Sequence, residues 1–286
     1  MNVQQHSSPT DFLDITRDYL EQEEAVNGLL LGLTEGLVRG PRRRRNRPFL
    51  ATVTHNNALQ LVALQTPPRK MVLNSHHREP NEATAALALF LQAKGKSMTA
   101  VLGPAEVADS FAKQWGRLGE GKTAVTPGIR QRVYAASEII ELPKAKGYLR
   151  IANGSDLPLI TEWIFGFYED VQQDQDISAA QMVAVRMLSD ESIFVWDHQG
   201  PVSMAAKSRP TRHGISVNLV YTPQDLRGNG YATACVARLS RKLLKSGYSF
   251  CTLFTDLSNP VSNHVYQKIG YRPMRDFSEH FFSTAE

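Results

Sequence analysis

A strand–turn–helix pattern in the second half of the chain constrains the fold most. The apolar, β-branched run Val217–Val220 predicts a strand, and Pro223 ends it. Gly228 and Gly230 follow, and their backbone can approach a ligand closely because neither carries a Cβ. From Tyr231 onwards, apolar residues recur at three- and four-residue steps and predict a helix. The free N–H groups at the start of that helix would form an anion site.

A second strand and a short helix are predicted after this pattern. Tyr248–Phe254 has the composition of a buried strand. Asn259 and Pro260 suit the N-cap and the first position of a helix, and Gly270 is expected to end it. Tyr266 follows Asn259 by two helical turns, so we expect both side chains on one face of that helix.

These residues together resemble the GNAT family, the Gcn5-related N-acetyltransferases. The family has Gln or Arg, then Gly, then Gly or Ala in a fixed pattern after its fourth strand, and here Arg227, Gly230 and Ala232 match it. The Asn and Tyr that the family carries after its fifth strand correspond to Asn259 and Tyr266. The resemblance covers residues 147–286. A dinucleotide-binding Gly-x-Gly-x-x-Gly motif fits less well, because its third glycine is Thr233 here.

The resemblance implies an α/β (α+β) GNAT fold, a mixed central sheet flanked by helices, with acetyl-CoA as the cofactor. It implies that Tyr266 protonates the departing thiolate as a general acid, while backbone donors stabilise charge on the carbonyl oxygen. It places Asn259 and Asn263 against the pantetheine arm or the strand edge. The backbone that would bind the pantetheine is that of Val220, Tyr221 and Thr222, and the pyrophosphate would lie against Arg227, Gly228, Asn229, Gly230, Tyr231, Ala232 and Thr233.

The general base is the least defined part of the predicted site. Ser216 and Asn218 lie on the strand before the turn but are not bases at neutral pH. Asp256 is the nearest carboxylate and is the candidate catalytic base, although it would equally complement the start of the following helix. The first helical segment of the second half carries three carboxylates, which either line an acceptor site or form the solvated face of that helix. They are Glu162, Glu169 and Asp170.

The first half of the chain repeats the order of elements predicted for the second half. The segment Gly95–Val101 aligns with Gly247–Leu253 at the same place in each order. We therefore predict a tandem of two GNAT-like domains, residues 1–140 and 147–286, joined by a charged Pro/Gly linker. The segment Asn74–Pro80 replaces the glycine turn in the first domain. That domain is expected to be a degenerate accessory or acceptor-recognition domain, the alternative being an unrelated α/β domain.

Composition narrows the class of protein. The chain has 286 residues, enough for two domains, and a formal net charge of +4. Its two cysteines, Cys235 and Cys251, fall on predicted core elements and suggest free thiols in a reducing cytoplasm. We expect no signal peptide, membrane span or metal site. The basic run from Arg42 to Arg47 lacks interleaved aromatics, so a solvated loop is favoured over a nucleic-acid site.

Three functional hypotheses follow. The first is an N-acetyltransferase that uses acetyl-CoA to acetylate a primary amine on a small molecule or peptide. The second is a catalytically silent acyl-CoA-binding sensor or scaffold, and the absence of a clear base leaves room for it. The third is a nucleic-acid-associated protein that uses the arginine run, for which steep salt dependence of binding would be the signature. The acceptor and the oligomeric state are not readable from the sequence.

Overall fold

The computed structural model describes residues 1–40, 47–119, 121–140, 145–171 and 175–284. The chain forms two compact units. Unit 1 comprises Met1–Val133, Thr255–Asn259 and the chain from Met274 onwards, and unit 2 comprises Tyr134–Phe254 and Pro260–Pro273. Most of the predicted arginine run and linker, residues 42–46 and 141–144, lies outside the described residues.

Unit 1 is a sheet with helices on both of its faces. Its strand order is β1-β2-β3-β4-β5-β12-β6, in which β4 and β5 are parallel and β12 is antiparallel to β5. The elements are β1 (Asn2–His6), α1 (Pro9–Glu21), α2 (Glu24–Arg39), β2 (Phe49–His55), β3 (Ala58–Gln65), β4 (Met71–Asn74), α3 (Asn81–Ala93), β5 (Ala100–Pro104), α4 (Ala105–Leu118), β6 (Thr123–Ala136) and β12 (Arg272–Thr284).

Two apolar clusters cover the two faces of this sheet. One packs Phe12 and Leu31 of the α1–α2 layer against Val72 of β4. The other packs Leu87 and Phe111 of the α3–α4 layer against strand residues of the opposite face. Burial of apolar side chains on both faces is the main stabilising contribution that such a layered arrangement provides.

Unit 2 has the same arrangement of a sheet between two helical layers. Its strand order is β11-β10-β9-β8-β7, and β10 and β11 are parallel. One cluster gathers around α7 and the other around α5 and α6. The elements are β7 (Tyr148–Ile151), α5 (Leu157–Asp170), α6 (Ile177–Ser189), β8 (Ile193–Asp197), β9 (Pro201–Ser208), β10 (Gly214–Tyr221), α7 (Tyr231–Lys245), β11 (Phe250–Asp256) and α8 (Pro260–Lys268), with 3₁₀ turns at Gly154–Asp156 and Gln224–Leu226.

The two units repeat one order of elements, which confirms the predicted tandem. Each begins with a strand and two helices, continues with three strands, and then has a helix, a strand and a helix. Gly95 follows α3, as Gly247 follows α7, and both have positive φ, +61° and +112°. Glycine tolerates this left-handed backbone at the end of a helix because it lacks a Cβ. The sequence alignment of these two segments therefore reflects equivalent helix-to-strand turns.

The first strands of both units and the pairing of the last strand differ from what the sequence predicted. The opening strands β1 and β7 were not predicted. The last strand, β12, pairs Phe277–Phe281 with Pro104–Ala100 of β5, so the chain from Met274 belongs to unit 1. An apolar pattern predicts a terminal strand but does not identify its partner. The division at residues 1–140 and 147–286 remains a prediction about independently folding domains.

Candidate active site

A β-bulge in β10 opens the sheet where the cofactor was expected. The register against β9 shifts between Asn218 and Tyr221, and Leu219 has a φ of +47°. Val217 packs with the cluster around α7, whereas Leu219 packs with the cluster around α5. Residues two apart in a regular strand share a face, so this change of face is the structural signature of the bulge.

The bulge coincides with the end of pairing between β10 and β11. The two strands pair only from Gly214 with Phe250 to Ser216 with Thr252, although β10 continues to Tyr221. Backbone groups beyond Ser216 on that side are therefore not held by a β10–β11 ladder. The predicted contact Val220 lies in this stretch without β11 pairing, whereas the carbonyl of Tyr221 accepts a hydrogen bond from the Ser203 hydroxyl. Neither glycine nor proline occurs at or beside Leu219, so this bulge could not be predicted from residue type.

The glycine turn that follows β10 is open. Gly228 and Gly230 have φ values of +83° and +75°. Among the described residues, a Cβ at Gly228 would meet no other atom within 4 Å, and one at Gly230 would meet Ala145 Cβ at 4.0 Å. The left-handed conformation explains why the sequence has glycine here. The lack of neighbours leaves room in front of the backbone for a bound group.

The first amides of helix α7 have no hydrogen-bond partner in the part of the chain that the structure describes. Gly230 is its N-cap and supplies no side-chain hydrogen bond. The first helical bond runs from the N–H of Ala234 to the carbonyl of Gly230, at 3.0 Å. The N–H groups of Tyr231, Ala232 and Thr233 precede that bond and lie at the positive end of the helix dipole. An uncapped start of this kind suits an anion.

Arg227 is already bound within its own unit. Its Nε donates to the carbonyl of Thr222 at 2.9 Å, and its Nη2 contacts the carboxylate of Asp170 at 2.5 Å. The guanidinium lies 5.8 Å from the centroid of the Tyr221 ring. The amide of Asn229 donates to the carbonyls of Leu226 and Arg227. Both side chains therefore hold the shape of the turn, and Asp170 is a partner of Arg227 rather than an isolated carboxylate.

The Tyr221 side chain lies over α5 among carboxylates. A Cβ at Gly166 would lie 2.5 Å from the Tyr221 hydroxyl, so only glycine allows this contact. Burial raises the pKa of Tyr221, and the charges of Asp170, Glu162 and Glu169 add to that rise, while Arg227 opposes it. A phenol surrounded by carboxylates stays protonated. The sequence identified these three carboxylates as candidate acceptor-site residues, but it did not predict that the Tyr221 side chain lies near them.

Tyr266 is buried in the core of unit 2. It is 9% exposed and packs edge-on against Tyr271, with ring centroids 6.1 Å apart. Burial, followed by the nearby Cys235, raises the pKa of Tyr266 to about 12. The phenol therefore keeps its proton throughout the neutral range, as a proton donor must.

The two cysteines are buried free thiols, as predicted. Burial raises the pKa of Cys251 to about 12 and raises that of Cys235 further. A thiol in this state is a poor nucleophile because only the thiolate attacks. The described residues contain no group of His, Cys, Asp or Glu that could hold a metal ion.

Asp256 and Asn259 lie in the Thr255–Asn259 segment that belongs to unit 1. The carboxylate of Asp256 accepts from the N–H of Ser258 at 2.8 Å, and its carbonyl accepts from the N–H of Asn259 at 3.1 Å. These bonds shape the turn before α8. They agree with the alternative role given for Asp256, a carboxylate that complements the start of the following helix. Asn263 is half-buried in α8, within unit 2.

Two other candidate polar residues on β10 have different environments. The Ser216 hydroxyl lies 3.1 Å from the Thr252 hydroxyl, across the last pair of the β10–β11 ladder. The Asn218 Oδ1 is buried and finds no partner within the described residues. Where β10 ends, Ser203 donates to the carbonyl of Tyr221 and accepts from the hydroxyl of Thr222.

Comparison with known proteins agrees with this geometry. A family model described as FR47-like protein matches residues 198–280, which include β10, the glycine turn and α7. No curated protein matches the chain. No helix in the described ranges is long and apolar enough to cross a membrane.

Three solved structures resemble the whole chain. A Drosophila protein aligns with a TM-score of 0.65 and 11% identity over 98% of both chains. A GCN5-related N-acetyltransferase from Sphaerobacter thermophilus has a TM-score of 0.63 and 13% identity, over 99% of this chain and 95% of that one. A tandem GNAT protein from the clavulanic acid biosynthesis pathway has a TM-score of 0.57 and 8% identity, over 100% of this chain and 99% of that one. The chain therefore has a tandem GNAT fold, with an FR47-like segment in its second half.

Proposed function

We propose that unit 2 carries the cofactor site of an acetyl-CoA-dependent N-acetyltransferase that acetylates a primary amine. The observation that carries the proposal is the combination of a split β10–β11 edge with an uncapped glycine turn immediately after it. A pantetheine arm offers amide groups that pair with a free strand edge, and a pyrophosphate is an anion that suits an open helix start. Pantetheine and pyrophosphate are adjoining parts of one cofactor, so a site for it needs both features close together.

The residues of the turn fit a pyrophosphate. Within the described ranges, no atom lies close to where a Cβ at Gly228 or Gly230 would be, and no side chain caps α7. The amides from Gly228 to Thr233 would bind the phosphates. Arg227 would contribute charge from the position where Asp170 and the Thr222 carbonyl hold it.

Acetyl-CoA supplies the acetyl group as an activated thioester. For their part, the backbone of Val220, Tyr221 and Thr222 would orient the pantetheine and polarise the carbonyl. Tyr266 holds a proton at its hydroxyl and would donate it to the leaving sulfur. Its high pKa favours stabilisation by a hydrogen bond over complete proton transfer, because a thiolate with a pKa of about 8.5 is the weaker base. Asn263, in α8 of unit 2, is the proposed side-chain contact.

Asp256 remains the proposed base. Its carboxylate accepts a hydrogen bond from the N–H of Ser258, which orients the side chain, and a carboxylate is a type of group that can accept a proton from an attacking amine. The test is Asp256→Asn, which keeps the shape of the side chain. If the variant retains full kcat, the amine loses its proton to water or to another group.

The function is tested by turnover. The purified full chain is given acetyl-CoA with a panel of primary amines, and free thiol is measured against time. We expect amine-dependent thiol release that Gly230→Val abolishes. Saturable acetyl-CoA binding without release for any amine would favour the silent sensor or scaffold. Absence of binding would refute the cofactor assignment itself.

A further inference from the structure

The Tyr221 side chain lies against one face of helix α5. It packs with the cluster around α5 and α6, and a Cβ at Gly166 would lie 2.5 Å from its hydroxyl. Helix residues four before, three after and four after Gly166 share its face. In α5 these positions carry the carboxylates Glu162, Glu169 and Asp170. The Tyr221 hydroxyl therefore lies on the acidic face of this helix.

The Tyr221 hydroxyl is open to solvent and forms no hydrogen bond with a described residue. The residue is partly exposed, and its hydroxyl is not an enclosed atom. The hydrogen bond of Tyr221 to Ser203 is made by the backbone carbonyl instead. A phenol can donate one hydrogen bond and accept another. Its oxygen is thus available to accept from an N–H group of a bound molecule.

The charges around this hydroxyl are mainly negative. Glu162, Glu169 and Asp170 all raise the pKa of Tyr221, and Arg227 opposes them. Arg227 forms an ion pair with Asp170, at 2.5 Å. Glu162 and Glu169 are exposed, and neither forms an ion pair with a described residue. Two carboxylates near the hydroxyl are therefore left without a counter-charge, which favours a cation here.

Tyr221 also belongs to the proposed cofactor site through its backbone. It is the last residue of β10 and follows the β-bulge, beyond the last β10–β11 pair at Ser216. The glycine turn begins a few residues later. One tyrosine side chain therefore connects the predicted position of the thioester with the acidic face of α5. A short molecule with an amino group at each end could reach both.

We infer that the Tyr221 hydroxyl, Glu162 and Glu169 select an acceptor that carries a second, positively charged amino group besides the one to be acetylated. The inference rests on the proposed function for the transfer itself. The charged amino group donates hydrogen bonds to the Tyr221 hydroxyl and to one of the two carboxylates. The other attacks the thioester as the free base: a C–N bond forms, the C–S bond breaks, the amine loses its proton to a base, and the sulfur leaves with a proton.

Putrescine and butylamine are the probes, because they share a carbon chain and differ by one amino group. The full chain is assayed with acetyl-CoA and each amine at low salt, and kcat/KM is obtained from the release of free thiol. We expect kcat/KM to be about 10-fold higher for putrescine, the effect of one hydrogen bond between charged groups. Added salt should reduce this preference, because it screens exposed charges.

Three variants and a matched control test the named side chains. Glu162→Gln and Glu169→Gln should each lower the ratio of kcat/KM for putrescine to that for butylamine about 3-fold, as expected for an exposed charge. Tyr221→Phe keeps the ring, removes the hydroxyl and should lower the ratio by a similar factor. Asp190→Asn removes one charge from the exposed end of α6 and should keep the wild-type ratio, since Asp190 is not among the charges that act on Tyr221.

Binding of putrescine is also measured without turnover. The full chain is titrated calorimetrically with putrescine in the presence of coenzyme A, which offers no acetyl group to transfer. We expect saturable binding that the combined Glu162→Gln and Glu169→Gln variant weakens about 10-fold, the product of the two single effects. Butylamine should bind more weakly than putrescine to the wild type.

The two measurements separate this inference from the proposed function. Thiol release with equal kcat/KM for both amines, or a preference that the combined variant retains, would refute the inference and leave the acetyltransferase intact. Carboxylate-dependent putrescine binding without thiol release from any amine would support the cation site and refute acetyl transfer. Neither binding nor release would reject both. If Tyr221→Phe does not fold, the two exposed glutamates decide.

Discussion

At the scale of single residues, Tyr266 separates an enzyme from a binding protein. Tyr266→Phe keeps the buried ring and removes the proton donor. We expect kcat to fall about 10²-fold, the usual range for general acid–base catalysis, with acetyl-CoA affinity little changed. The difference in kcat between wild type and Tyr266→Phe should become smaller above about pH 8.5, because the coenzyme A thiol then leaves readily as a thiolate without a proton donor. The measurement is kcat against pH.

Tyr271→Phe is the matched control for that change. Tyr271 is also buried in this cluster, 1% exposed against 9% for Tyr266, but its hydroxyl lies 2.6 Å from the Ser240 hydroxyl. Its loss should reduce stability by about 1 kcal/mol and leave kcat intact. Because the pKa of Tyr266 is about 12, wild-type kcat should show no alkaline loss from this group until pH approaches that value. Unchanged kcat in Tyr266→Phe, with chemistry rate-limiting, would return Tyr266 to a packing role.

Residue type and spacing predicted the glycine turn well, because a left-handed backbone favours glycine. Residue type and spacing did not predict which side chains of the turn would form hydrogen bonds or ion pairs within the protein. Arg227 was expected to face a phosphate, yet it binds Asp170 and the carbonyl of Thr222. The partner lies on α5, distant in sequence, so only the packing of α5 beside β10 could reveal it. The sequence also did not predict that the buried side-chain amide of Asn74 has no hydrogen-bond partner among the described residues. Whether a buried amide is paired depends on which residues surround it in the fold.

At the scale of elements, the glycine turn can be tested against a glycine of similar backbone. Gly230→Val should abolish acetyl-CoA binding, because a β-branched side chain would occupy the space before the α7 amides. Gly121→Val is the control: Gly121 has a φ of +81° and open surroundings, in unit 1. Both variants should lose similar stability from backbone strain, about 1–2 kcal/mol. Calorimetric titration that finds binding lost in both variants, or in neither, would contradict the assignment.

The start of unit 2 depends on an ion pair that the sequence did not mark. Asp156 accepts two hydrogen bonds from Arg150, at 2.8 and 2.9 Å, and one from the N–H of Asn153. Arg150 holds the pKa of Asp156 below its usual 3.8. Stability from this carboxylate is therefore complete above pH 3.8 and is lost as pH falls through the lower folded-state pKa.

Asp156→Asn should lower the free energy of unfolding by about 2 kcal/mol near pH 7, with the difference from wild type closing in acid. Asp276→Asn is a control in unit 1, since Asp276 pairs with Arg132 at a more exposed position and should cost less than about 1 kcal/mol. Urea unfolding at pH 7 and below pH 3 measures both. A constant difference across that range would show that charge is not the cause.

At the scale of the whole molecule, the order of elements was predictable and the path of the chain between units was not. Apolar periodicity and the paired Gly95 and Gly247 turns predicted the tandem. They could not predict that the chain from Met274 belongs to unit 1, because strand pairing is decided by sheet edges far away in sequence. A split of the chain at residues 140 and 147 would therefore leave unit 1 without β12.

This consequence gives the last prediction. Phe282 of β12 is 7% exposed and packs against Phe111 of α4, with ring centroids 6.2 Å apart, whereas its neighbour Phe281 is 45% exposed. Phe282→Ala should lower the stability of unit 1 by about 3 kcal/mol, and Phe281→Ala should change it by less than about 1 kcal/mol. Deletion of the chain from Met274 should remove the pairing of β5 with β12 and leave β5 paired with β4 alone.

Hydrogen exchange read by mass spectrometry localises the effect. We expect the amides of β5, Ala100–Pro104, to lose protection in the deletion protein and in Phe282→Ala, because an unpaired edge and a cavity in the adjoining cluster both favour local opening. The peptide covering Gly214–Ser216 of β10, which pairs with β11 in unit 2, is the internal reference. If β5 keeps its protection without β12, the last strand is not required by unit 1, and the predicted division at residues 140 and 147 becomes a workable boundary.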